Sequence, residues 1–282
     1  MDVVEILEKR MRKEELEKLL KIPNSTVHKF VADSIELCNP TKVFVCTDSH
    51  EDITHVREQA VATNEERPLR IAGHTYHFDG PTDQGRDRKA TKYLVPKGDA
   101  LSKTLNQIDR ATGLAEIKRI LRNSMEGKTM IVRFLCLGPP ASVFTIPCME
   151  CTDSWYVANS VDLLYRRAYE MFAKGEVQEK DLFRVLHSAG KLDERMTSAE
   201  PEKRRIYIDY SENVVYSANT QYAGNSVGFK KLALRLAIRK AHREGWLAEH
   251  MMITGVTGPG GRKTYFAGAF PSACGKTSTA MI

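Results

Sequence analysis

The chain has 282 residues, 42% of them apolar and 28% charged, a balance that excludes a disordered or fibrous protein and leaves room for about two domains with a buried core. The net charge of +6, from 42 Lys+Arg against 36 Asp+Glu, is mild. Without a dense basic stripe it argues against nucleic acid as a partner and suits a cleft that takes small anions.

At the start of the chain, Met1-Asp2-Val3-Val4-Glu5 is acidic and amphipathic. It lacks the basic start and apolar run of a secretion signal, and no later stretch is long and apolar enough for a membrane helix. The expectation is a cytoplasmic protein with no membrane partner, whose six scattered cysteines form no disulfide framework. Apolar residues at helical spacing predict one helix over 3–21, stopped by Pro23, and Ser25 is a candidate cap for a second running to about Cys38. Lys42–Cys46 reads as a strand, Glu51–Thr63 as a helix, and 64–90 as a long functional loop. A helix is expected over Leu114–Met125, then strands over Thr129–Leu137 and Ser142–Pro147 around Gly138-Pro139-Pro140. Helices are expected over Val161–Phe172 and Glu179–Ser188, strands over Arg205–Asp209 and Val214–Ser217, and a long helix over Val227–Arg243 ending at Gly245. Met251–Gly255 and Thr264–Ala269 read as strands around a turn at Gly258–Gly261. Helices and strands alternate, so the fold class is α/β, or mixed α+β.

The last segment carries the most chemistry. A strand ending at Phe270 leads through Pro271-Ser272-Ala273-Cys274 to Gly275-Lys276-Thr277-Ser278 and helix-forming residues. Backbone N–H groups at such a helix start cradle phosphate, Lys276 reaches the terminal phosphates, and Thr277 offers a hydroxyl to the nucleotide's metal. The strict pattern wants Gly at the position held by Phe270, so on spacing alone a tight strand-to-helix turn stays open as the alternative. Six residues follow Lys276, too few for a nucleotide domain. The expectation is the front part of a longer protein, with residues 1–246 a substrate-binding domain and 247–282 the start of a nucleotide-binding domain.

Phe270-Pro271-Ser272-Ala273-Cys274-Gly275-Lys276-Thr277 resembles the nucleotide loop of the GTP-dependent phosphoenolpyruvate carboxykinases, with Ser278 where members often have Asn, a variant similar to archaeal members. Further blocks extend the resemblance upstream: Glu244–Met251, Tyr222-Ala223-Gly224-Asn225-Ser226 with Lys230-Lys231, and Leu186-His187-Ser188-Ala189-Gly190. Gly127-Lys128-Thr129-Met130 and Thr152-Asp153-Ser154 fit more loosely. The resemblance implies a carboxykinase-like substrate domain followed by the start of a P-loop-type nucleotide domain. It implies conversion of oxaloacetate and GTP to phosphoenolpyruvate, carbon dioxide and GDP, a gluconeogenic step. It also implies two divalent ions, a protein-bound Mn2+ and a Mg2+ or Mn2+ that travels with GTP.

By the same resemblance Lys231 and His250 are metal ligands, and a third ligand, an aspartate, lies downstream of this chain. A lysine ligates only as the neutral amine. Lys230 and Lys231 near a helix start, where the dipole disfavours cations, give one reason for a lowered pKa; on residue type alone both read first as solvated side chains. Thr277 is the nucleotide-metal contact. Arg86 matches the arginine that grips the substrate carboxylate, with Arg88 as its rival. Tyr222, Ala223, Gly224, Asn225 and Ser272 match the substrate side, with Ala223 where the family usually has Gly. Ala273, Cys274, Gly275, Lys276, Thr277 and Ser278 match the nucleotide contacts, and Ser272, Cys274 and Lys276 are the candidate catalytic residues. Cys274 reads as a reactive thiol or as a small residue chosen to fit the turn.

Two other groups carry potential metal chemistry. Cys148-Met149-Glu150-Cys151 has zinc or redox spacing but no second pair, and His74, His77 and Asp79 gather on one loop that reads more simply as hydrogen-bonded structure. The alternative to an enzyme is a non-catalytic module that binds a nucleotide or an anionic metabolite.

Overall fold

Four helix starts in this chain are set by side chains, those of Asn24, Ser49, Asp109 and Ser154, that take orphaned backbone N–H groups. The computed structural model describes residues 2–78, 80, 90–221, 232–249, 251–269, 274–275 and 279. In chain order the elements are α1 (Val3–Arg10), α2 (Lys13–Leu20), α3 (Ser25–Cys38), β1 (Lys42–Val45), α4 (His50–Ala62), β2 (Arg67–Pro68), β3 (Thr75–Tyr76), β4 (Thr91–Val95), β5 (Gln107–Asp109), α5 (Arg110–Leu121), β6 (Thr129–Leu137), β7 (Ile146–Thr152) and α6 (Trp155–Leu164). There follow β8 (Arg166–Arg167), α7 (Tyr169–Ala173), β9 (Phe183–Ser188), β10 (Arg205–Asp209), β11 (Val214–Ala218), a π-helical turn Leu232–Leu236, α8 (Ala237–Glu244), β12 (Met252–Thr257) and β13 (Lys263–Gly268). The chain divides into two compact units, Met1–Leu232 and Ala233–Ile282.

Most of the sheet in the first unit follows the order β1-β6-β7-β9-β11-β10-β4-β5, with β8 beside β6. β7, β9 and β11 run parallel to one another. β6 is antiparallel to β7, and β10 is antiparallel to β11. The carboxyl ends of the three central strands therefore share one end of the sheet with the amino ends of β6, β10 and β4. Helices cover both faces. Leu7, Leu19, Val31, Ile117 and Phe172 pack with Val132, Phe134 and Met149 on one side. Ile53, Val56 and Ala158 pack with Ile131 on the other. The class is the mixed α/β that the alternation of elements implies. No helix among the described residues is long and apolar enough to cross a membrane.

Several expected elements shift. The helix expected over 3–21 is two helices, because Met11 and Arg12 adopt extended backbone; the break brings Leu7, Met11 and Leu19 to one core. Ser25 is not the cap of α3. Asn24 is, its side chain accepting from Val27 N, while Ser25 Oγ donates to Glu179. The loop over 64–90 contains the β2–β3 hairpin, and β4 follows directly after it. α5 starts one turn early, capped by Asp109. β7 lies later than the expected Ser142–Pro147 strand, so Cys148 and Cys151 fall within it. The helix expected over Val161–Phe172 begins at Trp155, with Ser154 as its cap, and gives way to β8 and α7. The segment Glu179–Ser188 is a single 3-10 turn followed by strand β9. β9 is buried almost throughout, so it lacks the alternation that marks a half-exposed strand.

In the second unit Gly245 ends α8 in the left-handed conformation, φ 75°, as expected for a glycine stop. β12 and β13 form an antiparallel hairpin around Gly258–Gly261.

Candidate functional site

The carboxyl ends of β7, β9 and β11 hold a buried polar network, the position at which open α/β sheets place their ligands. Asp153 follows β7 and is fully committed. Its Oδ2 takes Lys128 Nζ at 2.7 Å and Ser188 Oγ at 2.8 Å, and its Oδ1 takes Ala189 N at 2.7 Å. Lys128, at the amino end of β6, also donates to Gly190 O at 2.8 Å. The three sequence blocks around Lys128, Asp153 and His187–Gly190 thus form one hydrogen-bonded unit. The sequence flagged these blocks without assigning them roles.

His187 lies fully buried in the same layer. Its Nε2 sits 2.7 Å from the Thr220 carbonyl. A carbonyl only accepts, so Nε2 carries the proton and Nδ1 accepts from Thr152 Oγ1 at 2.6 Å. Burial lowers the pKa of this imidazole, which fixes it as the neutral form. Ser217 Oγ and Thr220 Oγ1 pair at 2.7 Å. Gln221 Nε2 donates to Met196 O at 2.5 Å. The chain immediately before Tyr222 is therefore tied down by four side chains.

Gly190 closes the network. Its φ is 71°, and an added Cβ would press into Asn219 Oδ1 and lie 2.7 Å from Asn219 Cγ. Asn219 cannot yield freely, because its Nδ2 donates to Glu200 O. Gly190→Ala should cost about 2 kcal/mol, from left-handed strain and displacement of Asn219. A urea midpoint equal to that of the unchanged chain would contradict this.

A second acidic group organises the same end of the sheet. Glu65 accepts from Ser154 Oγ and from the N–H groups of Trp155 and Tyr156, so its carboxylate sits at the start of α6. Burial raises its pKa, against the hydrogen bonds that lower it. His77 Nδ1 lies 2.5 Å from Glu65 O, and its ring stacks on Tyr156 at 3.8 Å. Beside them opens a cavity of about 580 Å³, lined in part by Arg67, Tyr76, His77, Arg195 and Thr197.

Most candidate residues named from sequence lie outside the described residues: Arg86, Arg88, Tyr222, Ala223, Gly224, Asn225, Lys231, His250, Ser272, Ala273, Lys276, Thr277 and Ser278. Their described neighbours are informative. Ala90 precedes β4 and Gln221 follows β11, so these two residues lie at the same end of the sheet as Asp153 and His187. Cys274 is exposed. Gly275 has φ 93°, and Thr279 N bonds back to Gly275 O at 2.9 Å, the spacing of a helical turn.

Among the described residues no group of three or more His, Cys, Asp or Glu side chains is placed to hold a metal ion. Cys148 and Cys151 lie three apart in a strand, so their thiols point to opposite faces and cannot share an ion. Both are fully buried, and burial raises both pKa values. His74 Nδ1 contacts Ala72 O, apart from His77 and its partners, and Asp79 lies outside the described residues.

Two family models match the chain. The phosphoenolpyruvate carboxykinase N-terminal domain covers residues 29–242, and the phosphoenolpyruvate carboxykinase C-terminal P-loop domain covers 246–282. Curated relatives named "Phosphoenolpyruvate carboxykinase [GTP]" include one from Thermococcus sibiricus, 52% identical over 98% of this chain and 44% of the relative. One from Pyrococcus horikoshii is 53% identical over 99% of this chain and 45% of the relative. One from Chlamydia trachomatis is 34% identical over 93% of this chain and 45% of the relative. The chain thus spans a little under half the length of these relatives.

Proposed function

Because this chain belongs to the phosphoenolpyruvate carboxykinase family, we propose that it supplies the substrate-binding domain, residues 1–246, and the phosphate loop, within 247–282, of a GTP-dependent phosphoenolpyruvate carboxykinase. The reaction is decarboxylation of oxaloacetate and phosphorylation of the resulting enolate by GTP, giving phosphoenolpyruvate, carbon dioxide and GDP, a gluconeogenic step in the cytoplasm. The observation that carries this reading is the Lys128–Asp153–Ser188–Gly190 network, which fixes the end of the sheet at which Ala90 and Gln221 lie.

In this reading Arg86 presents paired N–H donors to a substrate carboxylate. Tyr222, Ala223, Gly224, Asn225 and Ser272 line the substrate side. Ala273, Cys274, Gly275 and Ser278 surround the nucleotide phosphates, and Lys276 spreads the negative charge of the group in transfer. Lys231 and His250 would hold Mn2+, and Thr277 the Mg2+ or Mn2+ of GTP. A bound divalent cation would draw charge from the enolate oxygen and from the phosphates. The neutral His187 positions the backbone ahead of Tyr222 and keeps a second cation out of the buried layer.

A chimaera tests the proposal. Residues 1–282 replace the corresponding segment of the Thermococcus sibiricus relative. It should release carbon dioxide from oxaloacetate only with GTP and a divalent metal. Lys231→Ala and His250→Ala should each weaken manganese binding by about 10-fold or more. A chimaera with native circular dichroism that neither turns over oxaloacetate nor binds manganese would overturn the assignment.

A further inference from the structure

We propose that the cavity at the amino ends of β9 and β11 binds a small phosphate-type oxyanion, with Arg184 as its main contact. This cavity lies at the end of the sheet away from Asp153 and His187. Arg184 pairs in register with Val214 where β9 and β11 begin, and Ser188 pairs with Ala218 where they end. Four steps along the strand, roughly 13 Å at about 3.3 Å each, separate Arg184 from Ser188. Thr26 and Phe30 of α3, Leu182 ahead of β9 and Asn213 ahead of β11 help to enclose a space of about 580 Å³, the size of a small-ligand site.

Arg184 lines this cavity as a cation short of partners. Its side chain is only 17% exposed, and burial lowers its pKa. Nη2 donates to the Glu212 carbonyl, and the Phe30 ring lies 5.6 Å from the guanidinium carbon. Nε is buried without a hydrogen-bond partner, and Nη1 donates to nothing among the described residues. The one carboxylate paired with it there, that of Glu212, stands 3.9 Å away and is 57% exposed. A charge withdrawn from water without full pairing is destabilising, and an anion brought to it relieves that penalty. The planar fork of arginine suits the oxygens of a phosphate.

Two further donors border the same space. Lys180 is exposed and has no ion pair among the described residues, and the Tyr216 hydroxyl has no hydrogen bond among them. Tyr216 is the diagonal neighbour of Arg184 on the same face of the sheet, because Val214 is its in-register partner. The other acids around the cavity are committed. Asp33 holds Lys29 at 2.7 Å, Glu179 takes Ser25 Oγ at 2.5 Å and Thr26 N at 3.2 Å, and Asp209 holds Arg110 at 2.9 Å. The walls are set before a ligand arrives: Arg184 N bonds Asn213 O at 3.0 Å, and Ser211 Oγ closes the β10–β11 turn onto Asp209 at 2.6 Å. Walls held in this way lose little freedom on binding.

Calorimetric titration of the 282-residue chain tests this with inorganic phosphate and with glycerol 2-phosphate as probes. Saturable binding of at least one is expected, weakened about 10-fold or more by Arg184→Gln and about 3-fold or more by Lys180→Ala. Tighter binding of inorganic phosphate would mark a site for the free ion, and tighter binding of glycerol 2-phosphate a site for a phosphorylated metabolite. Lys180 is exposed, so Lys180→Ala should keep the unchanged chain's circular dichroism and decides the matter even if Arg184→Gln does not fold. Lys276→Ala removes any contribution from the phosphate loop and should leave the Lys180-dependent affinity as it was. Hydrogen exchange places the ligand: with the probe bound, amides at 182–184 and 212–214 should slow while that of Ala189 does not. Absence of saturable binding by either probe overturns the proposal. So does binding that Lys276→Ala abolishes and Lys180→Ala does not touch, or slowed exchange confined to the Ala189 end of the sheet.

Discussion

Glu150→Met should make the protein more stable, by an amount that grows from near zero at pH 4.5 to about 5 kcal/mol at pH 8. Glu150 lies in β7, directly opposite Arg133 of β6, and is fully buried. Neither carboxyl oxygen has a hydrogen-bond partner among the described residues. Burial pushes its pKa up to about 8, and Arg133 offsets only part of that rise. Arg133 is itself engaged by Asp162 and Cys46. The folded protein therefore holds a proton on Glu150 that the unfolded chain has released above about pH 4.5. Where the folded state binds more protons, stability falls as pH rises, here by about 1.4 kcal/mol per unit between the two pKa values. Stability from this group is complete below the unfolded pKa and gone above pH 8. Methionine has similar volume and no ionisable group, so it removes the slope without leaving a large cavity. Urea unfolding at pH 5, 6.5 and 8 measures it. Parallel pH profiles for the two proteins would show that Glu150 is not buried as an acid.

The P-loop domain and the block around His187 were legible in sequence, because chemistry there needs particular residue types at short spacing. The sheet was less so. β9 reads as helix, since Phe183, Val185, Leu186 and His187 are all buried and show no period of two. The Ser154 cap was missed, and with it the start of α6, because the apolar residues after it continue past the true helix end; Leu163 and Leu164 are exposed. β4 and β5 were hidden next to loop-like sequence. The role of Asp153 could not be seen at all. Its partners lie 25, 35 and 36 residues away, and the antiparallel pairing of β6 with β7 and the parallel course of β7 and β9 bring them together. One signal did exist: a buried-looking Thr-Asp-Ser run at the end of an apolar strand breaks the local rule, and such breaks concentrate at sites. The Cys148–Cys151 pair shows the converse. Its spacing carries chemistry only in a turn, and the strand it occupies separates the two thiols.

Asp153→Ala should cost about 3 kcal/mol and loosen the sheet end more than the core. Asp153 is 6% exposed and accepts three hydrogen bonds, one of them from an ammonium. Removing it leaves the Ala189 N–H without an acceptor and strips Lys128 of its anion. One partner lost from a buried pair costs about 3–5 kcal/mol. Lys128 is about one-third exposed, at 32%, so water recovers part of its loss and the lower end of that range applies. Asp153→Asn keeps the shape and one acceptor and should lose about half as much. The two variants separate packing from charge, since alanine removes both and asparagine mainly the charge. Hydrogen exchange locates the damage: the Ala189 amide should lose protection before amides in the centre of β6. The network holds β9 and the end of β7 against Lys128 at the amino end of β6, so a loosened Ala189 should also release Gly190 and its neighbour Asn219. A loss within 0.5 kcal/mol, the scale of an ordinary surface substitution, would mean the strand ends are held by the apolar layers alone, and the network would then be no support for placing substrate there.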